Sequence, residues 1–111
     1  MKGALLGPLR EVSGVIGSFT CAESGQLLAS DMPERYSLAE LETTAARLTN
    51  LLGTVEDAVQ ECSGVRLAFA EHQLLLRRYR RGLLCVLARA DYDRVALSAV
   101  EPLVIEQLLA P

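Results

Sequence analysis

Residues 17–33, GSFTCAESGQLLASDMP, hold an apolar-alternating run, a Glu23-Ser24-Gly25 turn and a second short apolar run that stops at Ser30-Asp31-Met32-Pro33. The first run extends back to Val15 and is rich in β-branched and aromatic residues, so Val15 to Ala22 is expected to be a strand. Both of its alternation sets, Val15/Phe19/Cys21 and Ile16/Ala22, are apolar or small. That pattern fits a strand covered on both faces. Gly25 is free to take positive φ and close a hairpin. Gln26 to Ser30 is the return strand, and Pro33 cannot continue a ladder.

Before the hairpin, Leu5, Leu6, Leu9 and Val12 recur at helical spacing and predict a short helix over 3–12. Pro8 must kink it or sit in its first turn. After the hairpin, Ser37-Leu38-Ala39-Glu40 has the form of a capping box. The residues Leu38, Leu41, Ala45, Leu48, Leu52, Val55 and Val59 then follow at spacings of three and four, which predicts a long amphipathic helix. Three further strands are expected at 65–71, 74–79 and 83–90, joined by short turns at Glu71-His72-Gln73 and Arg80-Arg81-Gly82. Asp93 can cap a last helix that runs to about Leu109, with Pro102 bending it or marking a later start. The order is α-β-β-α-β-β-β-α. Five antiparallel strands with two apolar faces need helices on both sides.

The chain has 111 residues, half of them apolar and 23% charged. This predicts one domain over 1–111 with a packed core of modest size, to which oligomerisation can add stability. No apolar run approaches the ~18 residues of a membrane span. The leader MKGALLGPLREV is too interrupted by Gly3, Gly7 and Pro8 for a signal peptide. A cytoplasmic protein that does not bind membranes is expected. Cys21, Cys62 and Cys85 are odd in number and lack CxxC spacing, so they read as small apolar residues rather than a disulfide framework or zinc site. With His72 as the only histidine, a metal centre or catalytic triad has too few members. Neither GxxxxGK[ST] nor GxGxxG occurs, so no nucleotide or other cofactor is expected. The carboxylates Glu56-Asp57 and Asp91/Asp93 read as solvated or capping groups, not acid–base catalysts.

The stretches SGVIGSFTCAESGQLLASDMP, SLAELETTAARLTNLLGTVEDAV and VRLAFAEHQLLLRRYRRGLLCVLARADYD, taken in order, resemble the roadblock/LC7 family over nearly the whole chain. Two departures are the proline in the short first helix and Glu23-Ser24 where the family favours Asp-rich turns. The resemblance implies an α/β (α+β) fold, a three-layer roadblock/profilin-like sandwich on a five-stranded antiparallel sheet. It places the second hairpin strand at one sheet edge and the first meander strand at the other. It also implies a non-enzymatic dimeric scaffold. Members of the MglB type are partners of small Ras-like GTPases, so a GTPase or another roadblock-domain protein is the expected partner.

Three surfaces are candidate sites. The strand containing Val65, Leu67 and Phe69 is an apolar edge without proline, the kind of edge that seeks pairing. On the long helix, Thr43, Ala46, Asn50, Gly53 and Asp57 form a small-residue face opposite the leucines. Glycine inside a helix costs about 1 kcal/mol against alanine, which makes Gly53 conspicuous. Val65, Leu67, Phe69, Ala46, Asn50 and Gly53 are therefore the expected dimer interface. The third is Arg77-Arg78-Tyr79-Arg80-Arg81, a basic rim that either keeps the meander soluble or meets an acidic partner. Its Arg77, Arg78, Arg80 and Arg81 are the candidate partner-binding residues. An arginine inserted into a GTPase site is a known device, but the resemblance points instead to positioning of the GTPase's own switch residues. A net charge of −3 argues against nucleic acid. Two other functions are open: an adaptor for another roadblock or response-regulator protein without GTPase contact, and a small-molecule sensor, which needs a cavity between sheet and helix. Large leucines at 38, 41, 48 and 52 argue for a filled core in its place.

Overall fold

A computed structural model describes residues 2–58, 64–69 and 71–110. A 3-10 turn at Lys2–Leu6 leads into α1 (Gly7–Arg10), with Pro8 in the first turn, where its missing N–H is harmless. Then come β1 (Val15–Ala22), β2 (Leu27–Asp31), α2 (Leu38–Ala58), β3 (Gly64–Ala68), β4 (His72–Tyr79), β5 (Gly82–Arg89) and α3 (Arg94–Leu109). The five strands form one antiparallel sheet in the order β2-β1-β5-β4-β3. β2 and β3 are thus the two edges, and the expected element order and edge placement are both met. Val59 and Cys62 lie outside the described residues.

Two hydrophobic clusters lie on opposite faces of the sheet. Leu41, Ala45, Leu48 and Leu52 of α2 pack on Phe19, Cys21, Leu74, Leu76, Leu83 and Cys85. On the other face Leu6, Leu9 and Val12 join Leu97, Val104 and Leu108 of α3 over Val15, Leu84, Val86 and Ala88. The central strand β5 alternates cleanly between the layers, which is why nearly all of it is apolar. Leu38 departs from expectation. It opens the leucine stripe but is 62% exposed, so the filled core rests on Leu41, Leu48 and Leu52.

β1 also corrects the simple alternation. Val15 belongs to the α3 side, whereas Phe19 and Cys21 belong to the α2 side. The β1–β5 register shifts between Val15 and Gly17, so Ile16 is an extra residue in a bulge that flips the strand's faces. Glycine is required at 17 because a Cβ there would come 2.7 Å from the Asp31 carbonyl oxygen. Ser18 and Thr20 in turn point into the α3-side layer and are buried.

Local chemistry sets the ends of the elements. Gly25 closes the β1–β2 hairpin with φ 91°, its N–H donating to the Ala22 carbonyl at 2.8 Å. The Ser37 hydroxyl accepts the Glu40 N–H at 3.1 Å and donates to the Glu40 carboxylate at 3.0 Å. The carboxylate therefore reaches back to the side chain of Ser37. Asp93 caps α3 by accepting the Ala96 N–H at 3.0 Å. α3 runs unbroken through Pro102, whose ring lies on the exposed face. The turn between β3 and β4 is earlier than expected: Phe69 N–H donates to the His72 carbonyl at 2.8 Å, and His72 already pairs with Arg89.

Candidate functional site

β3 is the last strand of the sheet, paired on one side only, with Val65 opposite Leu76 and Leu67 opposite Leu74. Val65 and Leu67 are half-buried against the α2-side cluster, while Arg66 and Ala68 face the other way and are exposed. Phe69 follows the strand with 61% of its surface exposed, a large aromatic area for a protein to leave in water. Among the described residues no second strand pairs with the outer edge of β3.

α2 turns Leu41, Leu48 and Leu52 to the sheet and its small residues outward. Thr43, Ala46, Asn50 and Asp57 are exposed and Gly53 is half-buried. Among the described residues, a Cβ built on Gly53 would meet nothing within 4 Å, so none of them requires the glycine. Ala46 is different. A Cβ on Gly25 would come 3.0 Å from the Ala46 Cα, so the hairpin turn lies against this point of the helix. Smallness at Ala46 thus has a cause within the chain, whereas at Gly53 the described residues supply none.

The arginine run does not form one rim. Strand alternation sends Arg77 to the α3 side, where it pairs with Glu101, and Arg78 to the α2 side, where it pairs with Glu56 at 2.7 Å and approaches Glu23 at 3.8 Å. The hydrogen bond that Arg78 donates to Glu56 is the chief reason Arg78 holds its proton more tightly than usual. Arg80 and Arg81 lie exposed in the turn that follows. Of the four candidate partner-binding residues, two are engaged within the chain on opposite faces and two face solvent.

Glu101 escaped notice in the sequence because most of α3 is apolar, although its helical spacing from Leu97 places it on the buried side of that helix. It is 7% exposed and sits in line with Leu97, Val104 and Leu108. Burial raises its pKa, and the charge of Arg77 opposes that rise. The folded state therefore keeps this proton to higher pH than the unfolded chain. The sign follows: its contribution to stability is full below the ordinary carboxyl value and is lost as pH rises through the raised one. Arg77→Met removes the opposing charge. Urea melts should then show a larger loss of stability from acid to neutral pH than in the wild type, and an equal loss in both proteins would contradict the pairing.

Cys21 and Cys85 meet beneath α2, both buried, with the Cys21 sulfur 3.5 Å from the Thr49 hydroxyl. Hydrogen bonding with Cys85 is the largest influence on Cys21 and brings it to about 7, while burial pushes Cys85 well up. Cys21 and Cys85 are the interior residues the sequence suggested. Among the described residues, no group of three or more His, Cys, Asp and Glu comes together as a metal site. No helix of these residues is long and apolar enough to cross a membrane.

No protein-family model matches the sequence, and no curated protein matches it. Solved structures do match. A roadblock/LC7 domain from Streptomyces avermitilis superposes with a TM-score of 0.81 at 15% identity, covering 96% of this chain and 92% of that one. Myxococcus xanthus MglB gives 0.77 at 13% identity, covering 96% and 90%. MglC from the same organism gives 0.58 at 17% identity, covering 96% and 99%. At such low identity these likenesses concern the fold, and on that point they agree with the element order, the strand order and the layers described above. The chain has the roadblock/LC7 fold, of the kind seen in MglB.

Proposed function

We propose that this protein is a cytoplasmic, homodimeric, non-enzymatic regulator or scaffold that binds a small Ras-like GTPase or its signalling module. The observation that carries the reading is the β3 edge: a strand that, among the described residues, pairs with β4 alone, with Phe69 exposed beside it, on a fold shared with MglB. An edge of this kind is a template for pairing with a second copy. The dimer forms through Val65, Leu67 and Phe69, with Asn50 and Gly53 of α2 beside them. Ala46, set against the hairpin turn, is at most peripheral. The dimer then presents a surface that positions the switch segments of a GTPase without supplying catalytic groups of its own. Arg80 and Arg81 are available to meet an acidic patch on that partner.

The test is a pulldown with each small GTPase encoded in the same genome, loaded with GDP or with a non-hydrolysable GTP analogue. Retention of at least one GTPase is expected, with a preference for one nucleotide state. The isolated protein should retain no nucleotide and hydrolyse none. If no GTPase binds in either state, the GTPase reading fails. The second reading, an adaptor for another roadblock or response-regulator protein, has its own support in β2. This other edge strand carries Leu28 at 38% exposure.

A further inference from the structure

A groove of about 380 Å³ is lined by residues of β3, β4 and the first half of α3. Arg66 from β3, Arg77 from β4 and Arg94 from the start of α3 all line it, while Leu75, Leu97 and Tyr92 give it apolar surface. Among the described residues that line it, the only carboxylate is Glu101, which is buried and already bonded to Arg77. Among the described residues neither Arg66 nor Arg94 is paired with a carboxylate, and both are exposed. The groove is thus a basic site on a chain whose net charge is −3.

We propose that this groove receives an acidic segment of a partner protein, and that its occupation is linked to pairing of β3. The first half follows from charge complementarity and from the mixture of arginine and apolar surface, which suits alternating acidic and apolar side chains. A nucleic acid fits less well, because the chain as a whole repels a polyanion and, among the described residues, only one aromatic lines the groove. The second half rests on the dimer proposed above. Arg66 is the middle residue of the five-residue β3. When β3 pairs with its own copy about a two-fold axis, the two Arg66 side chains approach each other on the α3 side, and like charges so placed are destabilising. The two grooves join into one trough that carries twice the set of arginines. An acidic segment lying in it offsets that repulsion, so ligand and dimer stabilise each other.

The test uses a short fluorescein-labelled peptide of alternating Glu and Leu, with a Lys-Leu peptide and a single-stranded oligothymidylate as comparators. Fluorescence anisotropy on the full chain should show binding of the Glu-Leu peptide that weakens with salt. Arg66→Glu and Arg94→Glu should each weaken it by about tenfold or more, and Arg94→Gln by less. Circular dichroism confirms that the variants fold. Absence of Glu-Leu binding, equal binding by the variants, or tighter binding of the oligonucleotide overturns the groove. Sedimentation velocity reads the linkage: the dimer dissociation constant should fall when the Glu-Leu peptide is added. A chain that binds the peptide yet stays monomeric overturns the linkage and the dimer while upholding the groove. A dimer that ignores the peptide overturns the groove and leaves the dimer standing.

Discussion

Gly53→Leu is expected to leave the domain folded and to split the dimer. The space around a Cβ at this position is open within 4 Å, so the isolated subunit has room for the first atom of a side chain. Leucine also favours helix over glycine by several tenths of a kcal/mol, which works toward a more stable α2. If the small-residue face meets the same helix of a second subunit, leucine forces the two backbones apart. The dimer then dissociates at concentrations where the wild type stays paired, while the far-ultraviolet circular dichroism signal is retained. Gly53→Ala should keep the dimer. A Gly53→Leu protein that stays dimeric at wild-type affinity would remove α2 from the interface and leave β3 alone as its basis.

Leu52→Ala, one residue earlier, should do the reverse. Leu52 is fully buried in the α2-side cluster, against a sheet face that holds Phe19, Leu74 and Leu83. Truncation of a leucine in such a place costs about 2–5 kcal/mol through lost burial and the cavity left behind. That is a large share of the ~5–15 kcal/mol a domain of this kind has in total. Urea melts should show the midpoint fall sharply. A change under about 1 kcal/mol would mean that α2 closes down over the gap or that this layer is packed less tightly than the structure shows.

The contrast between these adjacent residues was legible in the sequence, because a helix writes its buried face locally at spacings of three and four. The Ser37/Glu40 cap and the Gly25 turn were legible for the same reason: donors, acceptors and backbone freedom lie within a few residues. What the sequence concealed depends on distant parts of the chain. The bulge at Ile16 and Gly17 exists because β1 must fit between β2 and β5, and one extra residue reverses which side chains face α2. Leu38 fits the stripe by spacing but lies in the first turn of α2, largely in water. In the arginine run, alternation separated Arg77 from Arg78, yet their partners Glu101, Glu56 and Glu23 come from three other parts of the fold. The basic groove was hidden most completely. Arg66, Arg77 and Arg94 are far apart in the chain and come together only where β3, β4 and the start of α3 meet.

Dimerisation joins these observations: the β3 edge, the exposed Phe69 and the open Gly53 all take their proposed roles from it. Multi-angle light scattering of the wild-type chain at micromolar concentration tests it most directly. The expected mass is twice the 12.0 kDa of one chain. A clean peak at the mass of a single chain would contradict the account.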